Sequence, residues 1–305
     1  MQFVLGAGSV GTHLARLLTD SGEDVVLASR SGTGPEIPGT RRLVVDAADA
    51  DALSRAVAGA SVLYNVLNPP RYNTWPQVWP PVSAALITAA ERSGAVLAAA
   101  SNLYMYGIPT GPMTEQTPVA PAEGKGQVRA AMTRDALAAH EAGRIRYVEV
   151  RSADYVGAGV TYTSHITRQL PPAFKGRGVS VVGEPDQPHT WTDVLDVARS
   201  LVTVASSEQA LGRVWHATSN PPRTQREAIT DILASVGKPA VPVRPLPRWL
   251  YPTLGLVMPQ VREVARMTFQ FDRPFVMDSS AIQQELGLEP TPWDEVCRRT
   301  AESLA

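Results

Sequence analysis

Short apolar runs alternate with helix-period segments through the first half of the chain. Phe3-Val-Leu, Asp24-Val-Val-Leu-Ala, Arg42-Leu-Val-Val, Ser61-Val-Leu-Tyr, Ala95-Val-Leu-Ala and Arg146-Tyr-Val-Glu-Val read as strands. Between them, residues 9–21, 49–58, 77–93 and 127–142 carry Ala/Leu-rich patterns that predict crossover helices. Strands and helices in strict alternation predict an α/β fold with a doubly wound parallel sheet. After residue 155 the rhythm becomes irregular and prolines become denser, which predicts a smaller C-terminal lobe. Thr192–Ser206 and Arg213–Ala217 read as a helix and a strand that return to the main sheet.

Composition narrows the partners. The 305 residues are 44% hydrophobic with a net charge of -1, which suits one globular unit with a large core, or a nucleotide-binding domain with a smaller lobe. Charges are nearly balanced and form no long run, so nothing resembles the footprint of a nucleic-acid or anionic-membrane partner. The single cysteine, Cys297, excludes an internal disulfide, and its setting in Trp293-Asp-Glu-Val-Cys-Arg-Arg reads as a structural helix position. His13, His140, His165, His189 and His216 show no i, i+4 pairing, so no metal site is expected. No Gly-x-Ser-x-Gly elbow occurs. The apolar start breaks at Gly6, Gly8 and Gly11 and reads as strand and turn, not a signal peptide, from which a cytoplasmic location is expected. The Pro245–Pro252 stretch with Leu254–Val257 is too short to span a bilayer and is expected to roof a cleft or form a subunit contact, a homodimer being the base-rate assembly.

Chemistry enters at the first turn. Gly6-Ala-Gly8-Ser9-Val10-Gly11 directly follows a strand and opens a helix, the setting of a dinucleotide-binding loop. Gly6 permits the tight turn, Gly8 lets backbone N–H groups approach a pyrophosphate, and Gly11 allows close helix–strand packing. The second strand ends in Ser29-Arg30-Ser31, with no acid for a ribose 2′-hydroxyl. A guanidinium and two hydroxyls suit a 2′-phosphate, so NADP(H) is the expected cofactor. Asp46 is a candidate for the adenine amine or for a helix N-cap near Asp49, and the turn Asn65-Val-Leu-Asn68-Pro69-Pro70 is expected over the ribose and nicotinamide half. The expected organisation is a Rossmann-type NADP(H)-binding domain over 1–155, with 190–220 returning to it, and a substrate lobe from 156–189 and 221–305.

The chain resembles the extended and atypical short-chain dehydrogenase/reductase superfamily, the group that contains sugar-nucleotide epimerases and dehydratases. The resemblance rests on the glycine loop, on Ala100-Ser101-Asn102-Leu-Tyr-Met-Tyr106-Gly107, on Arg151-Ser-Ala-Asp-Tyr-Val-Gly157 and on His189-Thr-Trp-Thr-Asp193-Val-Leu-Asp196-Val-Ala198. It places Ser101 beside the cofactor and His189 near a helix start capped by Thr192 or Asp193. It also implies a Tyr-x-x-x-Lys pair and a polarising Ser or Thr. This chain has Lys125 and Arg129 at the paired positions and Asn102 at the third. Lys125-Gly-Gln-Val-Arg129 is similar to the Lys-x-x-Val-Arg stretch of the isoflavone-reductase-like branch, which implies Lys125 as the acid/base group.

Lys125 suits that role if part-buried and near a cation such as Arg129, because desolvation and like charge both disfavour the ammonium. Solvent exposure, or contact with the nicotinamide ribose alone, is the alternative. Asn102 would donate to a developing oxyanion. Tyr72, Tyr104, Tyr106 and Tyr155 are reserve acids, Tyr106 reading mainly as packing, while Tyr72, Trp75 and Trp79 either wall an apolar pocket or pack their own loop. The expected function is NADPH-dependent reduction of a small apolar carbonyl, enone or imine. A cofactor-retaining epimerase or isomerase and a non-catalytic NADP-sensing protein are the alternatives.

Overall fold

A computed structural model describes residues 1–69, 71–161, 164–247 and 268–304. Seven parallel strands form the central sheet: β1 (Gln2–Leu5), β2 (Val25–Ser29), β3 (Thr40–Val44), β4 (Val62–Asn65), β5 (Val96–Asn102), β6 (Arg146–Ser152) and, from the second half of the chain, β10 (Val214–His216). Their spatial order is β10-β6-β5-β4-β1-β2-β3. The chain winds one way from β1 to β3 and the other way from β4 to β6, which is the doubly wound arrangement read from the sequence.

The apolar runs have no polar alternation because both faces of the sheet are covered. Val4, Leu27, Tyr64, Ala98 and Val148 point into one core, with α1 (Ser9–Asp20) and α6 (Val194–Ala205) packed on it. Their neighbours Phe3, Leu5, Val26, Leu63, Leu97 and Tyr147 point into the other, under α2 (Ala50–Val57), α3 (Trp75–Ser93) and α4 (Gly124–Glu141). Each fully buried Leu or Phe there contributes roughly 1.5–3 kcal/mol. The edge strand β3, Thr-Arg-Arg-Leu-Val, is largely exposed, as an uncovered edge permits.

Two helices begin earlier than the pattern indicates. α3 starts at Trp75 and runs through Pro80 and Pro81. α4 starts at Gly124, where the Glu123 carboxylate caps it by accepting from the N–H groups of Lys125 and Gly126. The expected helix at Thr192–Ser206 opens instead as a strand, β9 (Trp191–Asp193), which pairs with β7 (Asp154–Val156) outside the main sheet. Further elements follow: α5 (Leu170–Ala173), β8 (Val179–Val181), α7 (Gln225–Ala234), β11 (Val243–Pro245) paired with β8, α8 (Ser280–Leu286) and α9 (Trp293–Glu302). α8 returns to the main sheet, its Ile282 entering the core shared with α6, while the others share a smaller core that includes Leu170, Val181, Ile229, Phe271 and Val296. Cys297 lies buried in α9, where burial pushes its thiol up to about 12, consistent with packing and not reactivity. No helix among the described residues is long and apolar enough to cross a membrane.

Candidate active site

All seven strands end at one edge of the sheet, and the winding reverses between β1 and β4, which opens a crevice at that point. Gly6 takes the turn after β1 at φ 122°, in the left-handed region that side chains disfavour. A Cβ on Gly11 would lie 1.8 Å from the Gly6 carbonyl oxygen, so helix and turn meet backbone to backbone. A Cβ on Gly8 would meet nothing within 4 Å. Gly8 is also the N-cap of α1, with no side-chain cap and no acid in the first turn. The helix therefore presents unpartnered N–H groups and its positive dipole end to open space, a cradle that fits a phosphate group.

Ser29, Arg30 and Ser31 stand at the end of β2. The Ser29 hydroxyl donates to the Thr33 carbonyl at 3.3 Å, Ser31 and Thr33 hydroxyls lie 2.6 Å apart, and Arg30 is exposed. Pattern reasoning read Arg42 only as a strand residue. Its guanidinium donates to the Gly32 carbonyl at 3.2 Å and to the carbonyls of Gly34 and Pro35, which adds a second cation to this corner. Asp46 is exposed and accepts from the Ala48 N–H, while the N-cap of α2 is Asp49. The capping alternative for Asp46 thus falls to its neighbour.

The crevice widens into a cleft of about 490 Å³. Gly6, Gly8, Ser9, Val10 and Asn68 line one end, and Ser101, Asn102, Tyr104, Arg129, Asp154 and Tyr155 the other. Asn102 accepts the Tyr104 N–H on Oδ1 at 3.2 Å, which leaves its Nδ2 hydrogens as donors. The Tyr72 and Tyr104 hydroxyls stand 3.4 Å apart, and burial raises both phenols above their ordinary pKa, so both are protonated donors. Tyr72 and Trp75 wall the cleft, and Trp75 stacks on Tyr104 at 6.3 Å. Tyr106 packs inside, its hydroxyl 2.9 Å from His216 Nε2, and does not line the cleft.

The early start of α4 decides where its cations go. A Cβ on Gly126 would lie 2.4 Å from the Tyr104 carbonyl oxygen, so only glycine lets the helix start press against this segment. Lys125 is 3% exposed, its ammonium 3.3 Å from the Glu123 carboxylate and 5.4 Å from the Tyr72 ring centre. It is buried, not solvated, and stands behind Tyr72 outside the cleft lining. Where a like charge was expected beside it, Lys125 pairs with the Glu123 carboxylate. Arg129 does line the cleft, with its guanidinium 4.9 Å and 4.2 Å from the rings of Trp75 and Trp79.

Sequence reasoning missed Asp154. Its carboxylate faces the cleft and lies 2.8 Å from Nε2 of His189, whose Nδ1 is 3.2 Å from the Gln270 carbonyl. His189 is not at the helix start; it sits in isolated bridges to Arg223 and Phe275, and Asp193 caps α6. Burial would raise the Asp154 pKa, but the hydrogen bond and charge of His189, with His165 and Arg168, hold it below the usual carboxylate value. Pro70, Arg248–Pro252 and Leu254–Val257 lie outside the described residues.

A model of the NAD dependent epimerase/dehydratase family matches residues 3–216. Among solved structures, dTDP-glucose 4,6-dehydratase from Bacillus anthracis in complex with NAD superposes with a TM-score of 0.79 at 16% identity, covering 99% of this chain and 96% of that one. UDP-glucuronic acid 4-epimerase from Bacillus cereus in complex with NAD gives 0.80 at 16%, covering 100% and 98%. MoeE5 in complex with UDP-glucuronic acid and NAD gives 0.80 at 21%, covering 99% and 98%. At such identities the likeness is one of fold. No curated protein matches. The superfamily resemblance and the Rossmann-like sheet expected from the sequence are borne out.

Proposed function

Because this chain belongs to the NAD dependent epimerase/dehydratase family, we propose that it is an NADP(H)-dependent oxidoreductase that reduces a small carbonyl, enone or imine compound. Bound along the glycine loop, the dinucleotide supplies the hydride. The observation that carries the reading is the concentration of donors at the far end of the same cleft: the Asn102 amide, the Tyr104 hydroxyl and the Arg129 guanidinium.

The Gly8 cradle and the N-terminus of α1 hold the pyrophosphate. Arg30, with Arg42 behind it, takes the 2′-phosphate that distinguishes NADP from NAD. Ser29 and Ser31 add hydroxyls, and Asn68 and Ser101 flank the nicotinamide half. Asn102 Nδ2 donates to the substrate oxygen or nitrogen as negative charge gathers there. The Tyr72–Tyr104 hydroxyl pair delivers the proton to that atom, so that the reduced carbon gains a hydride and its heteroatom a proton. Lys125, held by Glu123 behind the Tyr72 ring, is a positioning residue whose charge against the ring fixes Tyr72 at the cleft wall.

Turnover tests the reading. Loss of NADPH absorbance is followed with a panel of carbonyl, enone and imine compounds, and Asn102→Ala is expected to lower kcat by about 10²-fold. Bound dinucleotide with no net NADPH consumption on any of them, but with isomerised product, would assign the chain to epimerisation.

A further inference from the structure

The floor of the cleft holds a charge without a counter-charge. Arg129 is 5% exposed, lies against Trp75 and Trp79, and its Nε is buried with no hydrogen-bond partner. Among the described residues its guanidinium makes no hydrogen bond or ion pair. Glu149 is the carboxylate whose field reaches it, and that group is occupied. Arg151 Nε donates to one Glu149 oxygen at 2.7 Å, and the Thr133 and Tyr147 hydroxyls donate to the other, each at 2.6 Å. Two guanidinium charges thus face one carboxylate in this layer. A buried cation left so costs free energy that aromatic faces offset only in part.

The side from which an anion can arrive is defined. Behind Arg129 lies a chamber of about 20 Å³ bounded by Thr133, Tyr147 and Glu149, too small for any ligand group larger than a water. The other side is the cleft, whose lining also includes Ser101 and Asn102. A guanidinium flanked by indole rings offers its donors in a plane, which matches the flat, bidentate geometry of a carboxylate better than a tetrahedral dianion needing several cations.

We infer that the cleft takes a substrate bearing a small carboxylate, held by Arg129 between Trp75 and Trp79, with its reducible carbon presented to Asn102. The orientation towards Asn102 rests on the reductase reading; the anion site does not. A neutral ligand would leave the Arg129 charge uncompensated, so this inference narrows the substrate class from apolar compounds to their acids.

Benzoate and its neutral counterpart benzamide are the probes, titrated calorimetrically into the wild-type protein with and without saturating NADPH. Benzoate is expected to bind at least about 10-fold more tightly than benzamide, the equivalent of ~1.4 kcal/mol. Arg129→Met is expected to abolish that preference and Arg129→Lys to keep part of it. Equal affinity for the two probes in wild-type protein overturns the site, and needs no variant to fold. A benzoate preference that survives in folded Arg129→Met overturns it too. The preference seen without turnover of any carbonyl supports the site while contradicting the reductase reading, whereas turnover with equal probe affinities does the reverse.

Discussion

Nε2 of His189 lies 2.8 Å from the Asp154 carboxylate, and the two residues stand 35 positions apart in the chain. His189 is held flat, its ring stacked 4.9 Å from Phe271 and 5.3 Å from Phe275. The pair anchors a cleft-facing carboxylate from beneath. Removing one member leaves the other buried and unpaired, so His189→Phe is expected to cost about 3 kcal/mol at pH 7. The double variant with Asp154→Asn should cost less than the two single changes summed. Urea denaturation of the three variants checks this; strict additivity would contradict the coupling.

Buried Asp193 and partly buried His165 give the stability opposite pH slopes. Burial pushes the Asp193 carboxyl up to about 6 despite Arg299 at 2.5 Å. Between its ordinary 3.8 and about 6 the native state holds more protons than the unfolded one, so this group makes stability fall as pH rises, by roughly 3 kcal/mol in all. Burial pushes His165 down to about 4, and there the unfolded state binds more protons, so stability rises with pH across 4 to 6.5. Measured by denaturation at pH 4.5 and 7, Asp193→Asn should gain more stability with rising pH than the wild type, and His165→Gln less. Slopes identical to the wild type in both would contradict the assignment.

The start of α4 tolerates nothing larger than glycine at position 126. Gly126→Ala would drive a methyl to 2.4 Å from the Tyr104 carbonyl and 2.9 Å from Pro121 Cβ. A loss of about 2–3 kcal/mol is expected, read as a lower urea midpoint with an unchanged slope. A neutral result would show that the helix start can retreat from the cleft.

These placements mark where the sequence was legible. Parallel strands buried on both faces are continuous apolar runs, so β1, β2, β4, β5 and β6 stand out, and Gly6-Ala-Gly8-Ser-Val-Gly11 places the cradle that follows β1. β7, β8, β9 and β11 are three residues each, too short to show a period. α4 hid its first turn because Pro121, Gly124 and Gly126 resemble a loop, whereas Gly126 serves close packing. Arg42 bonds loop carbonyls, and Asp154 pairs with a distant histidine; neither relation leaves a local signal. Lys125 and Arg129 were visible as residues, but not the carboxylate beside one or the indole rings against the other.

Lys125 acts through Tyr72 in the proposed mechanism, so its removal should touch the proton and not the cofactor. Lys125→Met is expected to lower kcat by about 10²-fold with KM and NADPH affinity within about threefold of wild type, the signature of a misplaced Tyr72. An unchanged rate would remove Lys125 from the mechanism.

The reading as a whole stands on the cofactor. Calorimetric titration of the purified protein with NADPH and, separately, with NADH tests it directly, repeated on Arg30→Ala. The account predicts NADPH binding about 10-fold or more tighter than NADH, and loss of that difference in the variant. Equal affinities, tighter NADH, or no binding of either nucleotide would contradict it.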